Sequence, residues 1–254
     1  MKRFASLIVL ISLLVGFESY AQKNEMDVEA AKAYNEGNSL LKAGNYEGAV
    51  KQYDIALKTS TDYRIYYQKG IALKKQGKLQ EAEAAFKSAI QSNPNFDISY
   101  NGLGGVYFEE GKYLDAADAF KKFGELTKNK TMKDKANEYV ARSLAKLAEE
   151  EKSDGKLDKA LEHLNEAIKY YSLDAAYITL AMIEIDNGNF QKAIDATDAV
   201  IAMKNSSLKG AAYYYRGLAY KKLNDSAKAR ENFELAKKDP QYKKLSDYEL
   251  NNMK

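Results

Sequence analysis

The sequence has no cysteine and no tryptophan, one histidine and two prolines in 254 residues. Without cysteine there is no disulfide framework, no thiolate metal ligand, no cysteine nucleophile and no lipid-modified N-terminal cysteine. A lone His163 cannot furnish a two-histidine metal site. So little proline favours long helices over a fold of short strands and turns. Neither charge sign dominates. The chain carries 39 Lys+Arg against 36 Asp+Glu, a net charge of +3, too slight for the basic field of a nucleic-acid binder. With 30% charged and 45% apolar residues, the composition is that of a globular chain rather than a disordered one. The surplus is tyrosine, of which there are twenty.

The first 21 residues read as an address. Met1-Lys2-Arg3 is basic, and Phe4 to Phe17 is a run of fourteen uncharged residues. Ser19 and Ala21 occupy the small-residue positions of a cleavage site before Gln22. This is the layout of a secretory signal peptide. Fourteen residues span roughly 21 Å as a helix, short of a ~30 Å hydrocarbon core. No second hydrophobic run is long enough to span a bilayer. The expected mature protein is exported by a cleavable signal peptide, to the periplasm or beyond the cell, and has no transmembrane segment.

One pattern recurs six times after that: Gly, Ala five residues on, a large residue four further, and a last slot three beyond. Gly44-Ala49-Tyr53-Ala56, Gly77-Ala82-Phe86-Ala89 and Gly111-Ala116-Phe120-Phe123 begin the series. Gly155-Ala160-Leu164-Ala167, Gly188-Ala193-Thr197-Val200 and Asn224-Ala229-Phe233-Ala236 complete it. Seven residues before each turn position stands a small residue: Gly37, Gly70, Gly104, Ala148, Ala181 and Gly217. The slots fall at i, i+4, i+7, one face of an α-helix. Gly or Asn at the turn can adopt positive φ and end the first helix. A small residue opposite a ring lets two antiparallel helices approach closely. One such hairpin cannot bury its apolar face alone, whereas a stack can.

These residues resemble the tetratricopeptide (TPR) repeat family, most visibly in Tyr213-Tyr214-Tyr215-Arg216-Gly217-Leu218-Ala219-Tyr220 and Gly77-Lys78-Leu79-Gln80-Glu81-Ala82. Pro94 also sits where that repeat often ends its second helix. The resemblance covers about Ala30 to Gln241. It implies an all-α, right-handed α-solenoid of six helix-turn-helix repeats with a C-terminal capping helix, and the role of a protein-interaction scaffold. After the signal peptide (1–21) and a lead-in (22–29), repeats one to three are expected over 30–130 and repeats four to six over 131–240. The capping helix and tail take 241–254.

Departures from the pattern are informative. Glu151 and Glu184 stand in a slot that is large and apolar elsewhere, and Asn224 replaces the turn glycine of repeat six. Ten extra residues separate repeats three and four, in the polar, lysine-rich stretch Thr127 to Lys135. Repeat four should therefore have a first helix lengthened at its N-terminal side, and the solenoid is expected to bend there or to split into two three-repeat halves.

Chemistry finds little purchase. His163 lies between core slots beside Glu162 and Glu166 and reads as a surface position without a nucleophile in reach. Glu149-Glu150-Glu151 and Glu109-Glu110 point about 100° apart on a helix and do not converge. Asp186-Asn187-Gly188-Asn189 lacks the spacing of a calcium loop. No enzyme activity, metal or cofactor is expected.

The stripe of the first helices beside the packing slots is expected to line a concave groove. It places Tyr34, Asn35 and Asn38 in repeat one, Arg64, Tyr67, Gln68 and Lys74 in repeat two, Asn101 in repeat three, and Tyr214 and Tyr215 in repeat six. Amides can bond an extended backbone, and tyrosine offers a large face with one polar tip. Asn38 matches an asparagine of the family's carboxylate-clamp members, but Tyr34 stands where a clamp lysine would be, so that function is not carried over. The expected function is non-enzymatic binding of an extended segment of an envelope partner protein. Carbohydrate or cell-wall binding through exposed tyrosines, and a structural homo-oligomer, are the alternatives.

Overall fold

The computed structural model describes residues 26–253. The expected signal peptide lies outside them, as do the first residues of the lead-in. All regular structure among the described residues is helical, and none of it is long and apolar enough to cross a membrane. The helices are α1 (Val28–Lys42), α2 (Tyr46–Ala56), α3 (Tyr63–Lys75), α4 (Leu79–Ser92), α5 (Asp97–Glu109) and α6 (Tyr113–Leu126). They continue as α7 (Lys130–Ser153), α8 (Leu157–Tyr170), α9 (Asp174–Asp186), α10 (Phe190–Ala202), α11 (Lys209–Lys222), α12 (Ser226–Ala236) and α13 (Lys243–Asn251). The fold is an all-α helical-repeat solenoid. It divides into two compact units, one running up to Lys112 with Lys122–Lys128, the other comprising Tyr113–Lys121 and everything from Asn129 on.

Local chemistry sets the helix ends. Asp27, Asn45, Asp62, Asn129 and Asp225 cap α1, α2, α3, α7 and α12, their side chains accepting from backbone N–H groups of the first turn. Such caps contribute about 1 kcal/mol each. The six turn positions all take the left-handed conformation: five glycines at φ 75–79° and Asn224 at 61°. Asparagine tolerates that region better than other side chains do, which is why repeat six can dispense with glycine.

Inside each unit the small residues face rings. A methyl group added at Gly37 would lie 2.6 Å from Tyr53 Cε1, at Gly70 2.8 Å from Phe86 Cε1, and at Gly217 2.7 Å from Phe233 Cε1. All three rings are fully buried. Where the small residue is alanine, the opposing slot shrinks: Ala148 goes with Leu164 and Ala181 with Thr197, all without exposed surface. In repeat four the volume across the hairpin is thus kept close to that of a glycine–ring pair, as close packing requires; the Ala181–Thr197 pair of repeat five is smaller. Helix α7 runs for 24 residues, and its first six, Lys130 to Lys135, are exposed. In the second unit α13 lies against α12, with Leu250 joining Phe233 and Ala229 in one apolar cluster.

Candidate peptide-binding groove

In the first unit, the groove residues split between two aromatic centres. Tyr34 of α1 is half-buried against Tyr53, ring centroids 6.1 Å apart. The Tyr53 hydroxyl donates to Asn38 Oδ1 at 2.8 Å. The asparagine's acceptor is therefore used within its own repeat, and its amide N–H groups are the part left for a ligand. Asn35 is exposed. On α3, Arg64 turns back onto the buried cap Asp62, with Nε–Oδ1 2.9 Å and Nη2–Oδ2 2.6 Å. That carboxylate raises the guanidinium further above its ordinary value. The same Asp62 accepts from the Arg64 backbone N–H at 2.8 Å, so Arg64 reinforces a helix start.

Tyr67 packs 5.9 Å from Phe86 and 5.3 Å from Phe96. Burial pushes its phenol up, and Asp97 adds to the shift. Tyr67, Lys74 and Asn101 line one cleft of about 290 Å³ with Ile71, Lys75, Phe86, Gly102 and Glu109. Lys74 reaches Glu109 at 3.0 Å across its mouth. Gly105 makes that reach possible, since a methyl group there would sit 2.8 Å from the ammonium nitrogen. The two side chains of the pair are 30% and 50% exposed, and exposed pairs of this kind contribute only ~0–1 kcal/mol. A ligand can displace it. Gln68 is half-buried beside Tyr67. The structure thus gathers three of the expected groove residues into one cleft, places Tyr34 and Asn38 around Tyr53, and assigns Arg64 to a cap. Sequence reasoning missed Glu109 and Lys75. The one available signal was the opposite charge of Lys74 and Glu109 on successive first helices.

In the second unit, Tyr214 and Tyr215 are half-buried rather than open. They pack against each other at 5.4 Å and against Tyr242, the residue before α13, at 5.4 and 6.4 Å. Burial pushes the Tyr215 phenol up to about 12.

The expected surface position of His163 is corrected. Its imidazole is only 18% exposed, and Nδ1 lies 2.7 Å from Glu151 Oε2, itself 11% exposed. The reason is the acid in the apolar slot: a buried carboxylate needs a polar partner, and the histidine one helix away supplies it. Glu184, the equivalent acid of repeat five, accepts from Asn189 Nδ2 at 2.7 Å. Both carboxylates are thereby occupied in packing their hairpins. No group of three or more histidine, aspartate or glutamate side chains among the described residues could hold a metal ion.

The sequence profile of the Tetratricopeptide repeat matches residues 34–95, 67–125 and 178–243. The chain belongs to the tetratricopeptide repeat family. Small glutamine-rich tetratricopeptide repeat-containing protein 2 of Mycosarcoma maydis is 28% identical over 123 residues, 47% of this chain and 33% of that protein. DnaJ homolog subfamily C member 3 of Homo sapiens is 24% identical over 230 residues, 88% of this chain and 45% of that protein. The chain therefore spans less than half the length of these curated relatives. Among solved structures, YrrB, described as a TPR protein with an unusual peptide-binding site, aligns with a TM-score of 0.50 at 21% identity. That alignment covers 74% of this chain and 91% of the other, and it bears on the fold alone. In the TPR register, Tyr34, Tyr67 and Asn101 are equivalent first-helix positions of three successive repeats, 33 and 34 residues apart.

Proposed function

We propose that this TPR chain is a non-enzymatic protein-interaction scaffold of the cell envelope, exported by its N-terminal signal peptide, and that its first unit binds an extended segment of a partner protein. The observation that carries the reading is the cleft of about 290 Å³ with Tyr67 and Phe86 as its aromatic floor and Asn101 at its wall. An aromatic floor takes an apolar side chain. The Asn101 amide can donate to and accept from the backbone of an extended peptide. Opening of the Lys74–Glu109 pair frees one charge of each sign at the rim. The basic start and uncharged run of the first seventeen residues support export.

Affinity capture from envelope extract, compared between the natural protein and a Tyr34→Ala/Tyr67→Ala variant of unchanged helix content, tests the reading. An anchor tyrosine removed from such a cleft weakens binding by about 1–3 kcal/mol, enough to lose the partner under washing. Capture of the same partners in the same amounts by the double variant would count against the groove.

A further inference from the structure

The run Asp186-Asn187-Gly188-Asn189 lacks the spacing of a calcium loop, but it holds a different chemistry. All four residues are exposed. Asn187 ends α9 at φ −79° and ψ −3°. Gly188 follows at φ 78°, with nothing within 4 Å of the place that a Cβ would take. The nucleophile able to close a five-membered ring on an asparagine amide is the backbone nitrogen of the next residue, and glycine leaves that nitrogen unshielded. The turn is held by Gly188 N–H donating to Ile185 O at 3.0 Å and Asn189 N–H to Glu184 O at 2.8 Å. Bonds at such an exposed turn open more readily than those inside a packed helix. The other Asn-Gly pair of the sequence, Asn101-Gly102, lies inside α5 and is partly buried. A methyl group at Gly102 would sit 2.5 Å from Phe86 Cε1, and the glycine nitrogen there belongs to the helical ladder.

We propose that Asn187 is a modification site at which the chain deamidates through a succinimide, and that the fold directs this reaction to the turn of repeat five. Hydroxide takes the Gly188 N–H proton as the nitrogen attacks Asn187 Cγ. The new N–C bond closes the ring, the bond to the side-chain amide nitrogen breaks, and ammonia leaves. Water then adds to one of the two ring carbonyls and opens the ring, giving isoaspartate or aspartate, with no change of oxidation state. Either product adds a negative charge at the C-terminal end of α9, where the helix dipole disfavours it. Isoaspartate also lengthens the main chain by one CH2 within the turn. Asn189, two residues on, donates from Nδ2 to Glu184 Oε2 at 2.7 Å, and Glu184 is buried. The modification therefore loosens the contact that satisfies the buried acid of this hairpin.

The test is incubation of the full chain at mildly alkaline pH, folded and in urea, followed by peptide mapping with mass spectrometry and an isoaspartate assay. In the folded chain Asn187 should convert more than about tenfold faster than Asn101, and in urea the two rates should converge to within about threefold. Asn187→Gln, an exposed change, should abolish isoaspartate at this position and leave Asn101 as it was. The incubated natural chain should unfold at lower urea than the incubated Asn187→Gln variant. Equal rates at the two sites in the folded chain, a faster Asn101, aspartate without isoaspartate, no conversion of Asn187 unless the chain is unfolded, or equal unfolding midpoints after incubation would each overturn the proposal.

Discussion

Replacing Gly217 with alanine should destabilise this protein, although alanine is by itself the better helix former. The position lies inside α11, where the exchange alone would add about 1 kcal/mol. Against this stands the ring of Phe233. The new methyl group would lie 2.7, 2.8 and 3.1 Å from its Cε1, Cδ1 and Cζ. Phe233 has no exposed surface and is flanked by Tyr214 at 5.9 Å, so it cannot swing away freely. Overpacking of this kind costs about 1–3 kcal/mol, leaving a net loss of roughly 1 kcal/mol after the propensity gain. Phe233→Leu alone should cost roughly 1–2 kcal/mol, between a volume-conserving swap and a full truncation. The two together recreate the Ala148–Leu164 pairing of repeat four, and the methyl group enters space that the ring has left. The double variant should therefore be more stable than the sum of the singles predicts, by about 1–2 kcal/mol. Urea unfolding of the four proteins, followed by helical circular dichroism, measures this. Additivity within about 0.5 kcal/mol, or a higher midpoint for Gly217→Ala, would refute the argument that ring and glycine are fitted to one another.

Two further outcomes follow from the same contacts. Tyr53→Phe should lower stability by about 1 kcal/mol, because it removes the donor to Asn38 and leaves that acceptor half-buried; the unfolding midpoint reports it, and Asn38→Ala should erase most of the difference. Asp225 is held below the ordinary aspartate value first by the backbone N–H of Lys228 and then by its ammonium group. A depressed folded value means that its contribution is present above the unfolded value and is lost as pH falls below the ordinary aspartate range and through the folded one. Asp225→Asn keeps a capping oxygen but should flatten that part of the acid-unfolding profile.

The hairpins were legible because their determinants are local. A turn that needs positive φ, a small residue seven positions before it and a large one nine after it can be counted along the chain. Partner choice between long side chains was not legible. Nothing in the spacing of Asn38 and Tyr53 says that the hydroxyl will claim the amide oxygen rather than leave it for a ligand. Arg64 reads as a groove residue from its helical position, and its pairing with the carboxylate two residues earlier is not visible in that spacing. The packing of Tyr242 against Tyr214 and Tyr215 was not legible because Tyr242 comes from a segment outside the repeat pattern. His163 illustrates the same limit: its partner, Glu151, is on the preceding helix, and only the burial of that acid explains why the imidazole turns inward.

The matched volumes across the hairpins of repeats four and six also bear on how such a chain can be rearranged. The gap between α11 and α12 is filled by no side chain at Gly217 and a full ring at Phe233, whereas α7 and α8 divide theirs between Ala148 and Leu164. Exchanging second helices between these repeats would press a ring onto a methyl group in one product and leave a void in the other. Exchanging whole hairpins would do neither at that contact. For duplication, recombination or deliberate shuffling, the indivisible piece is the pair of helices, and a crossover that falls in the turn between them is the one most prone to yield a misfit.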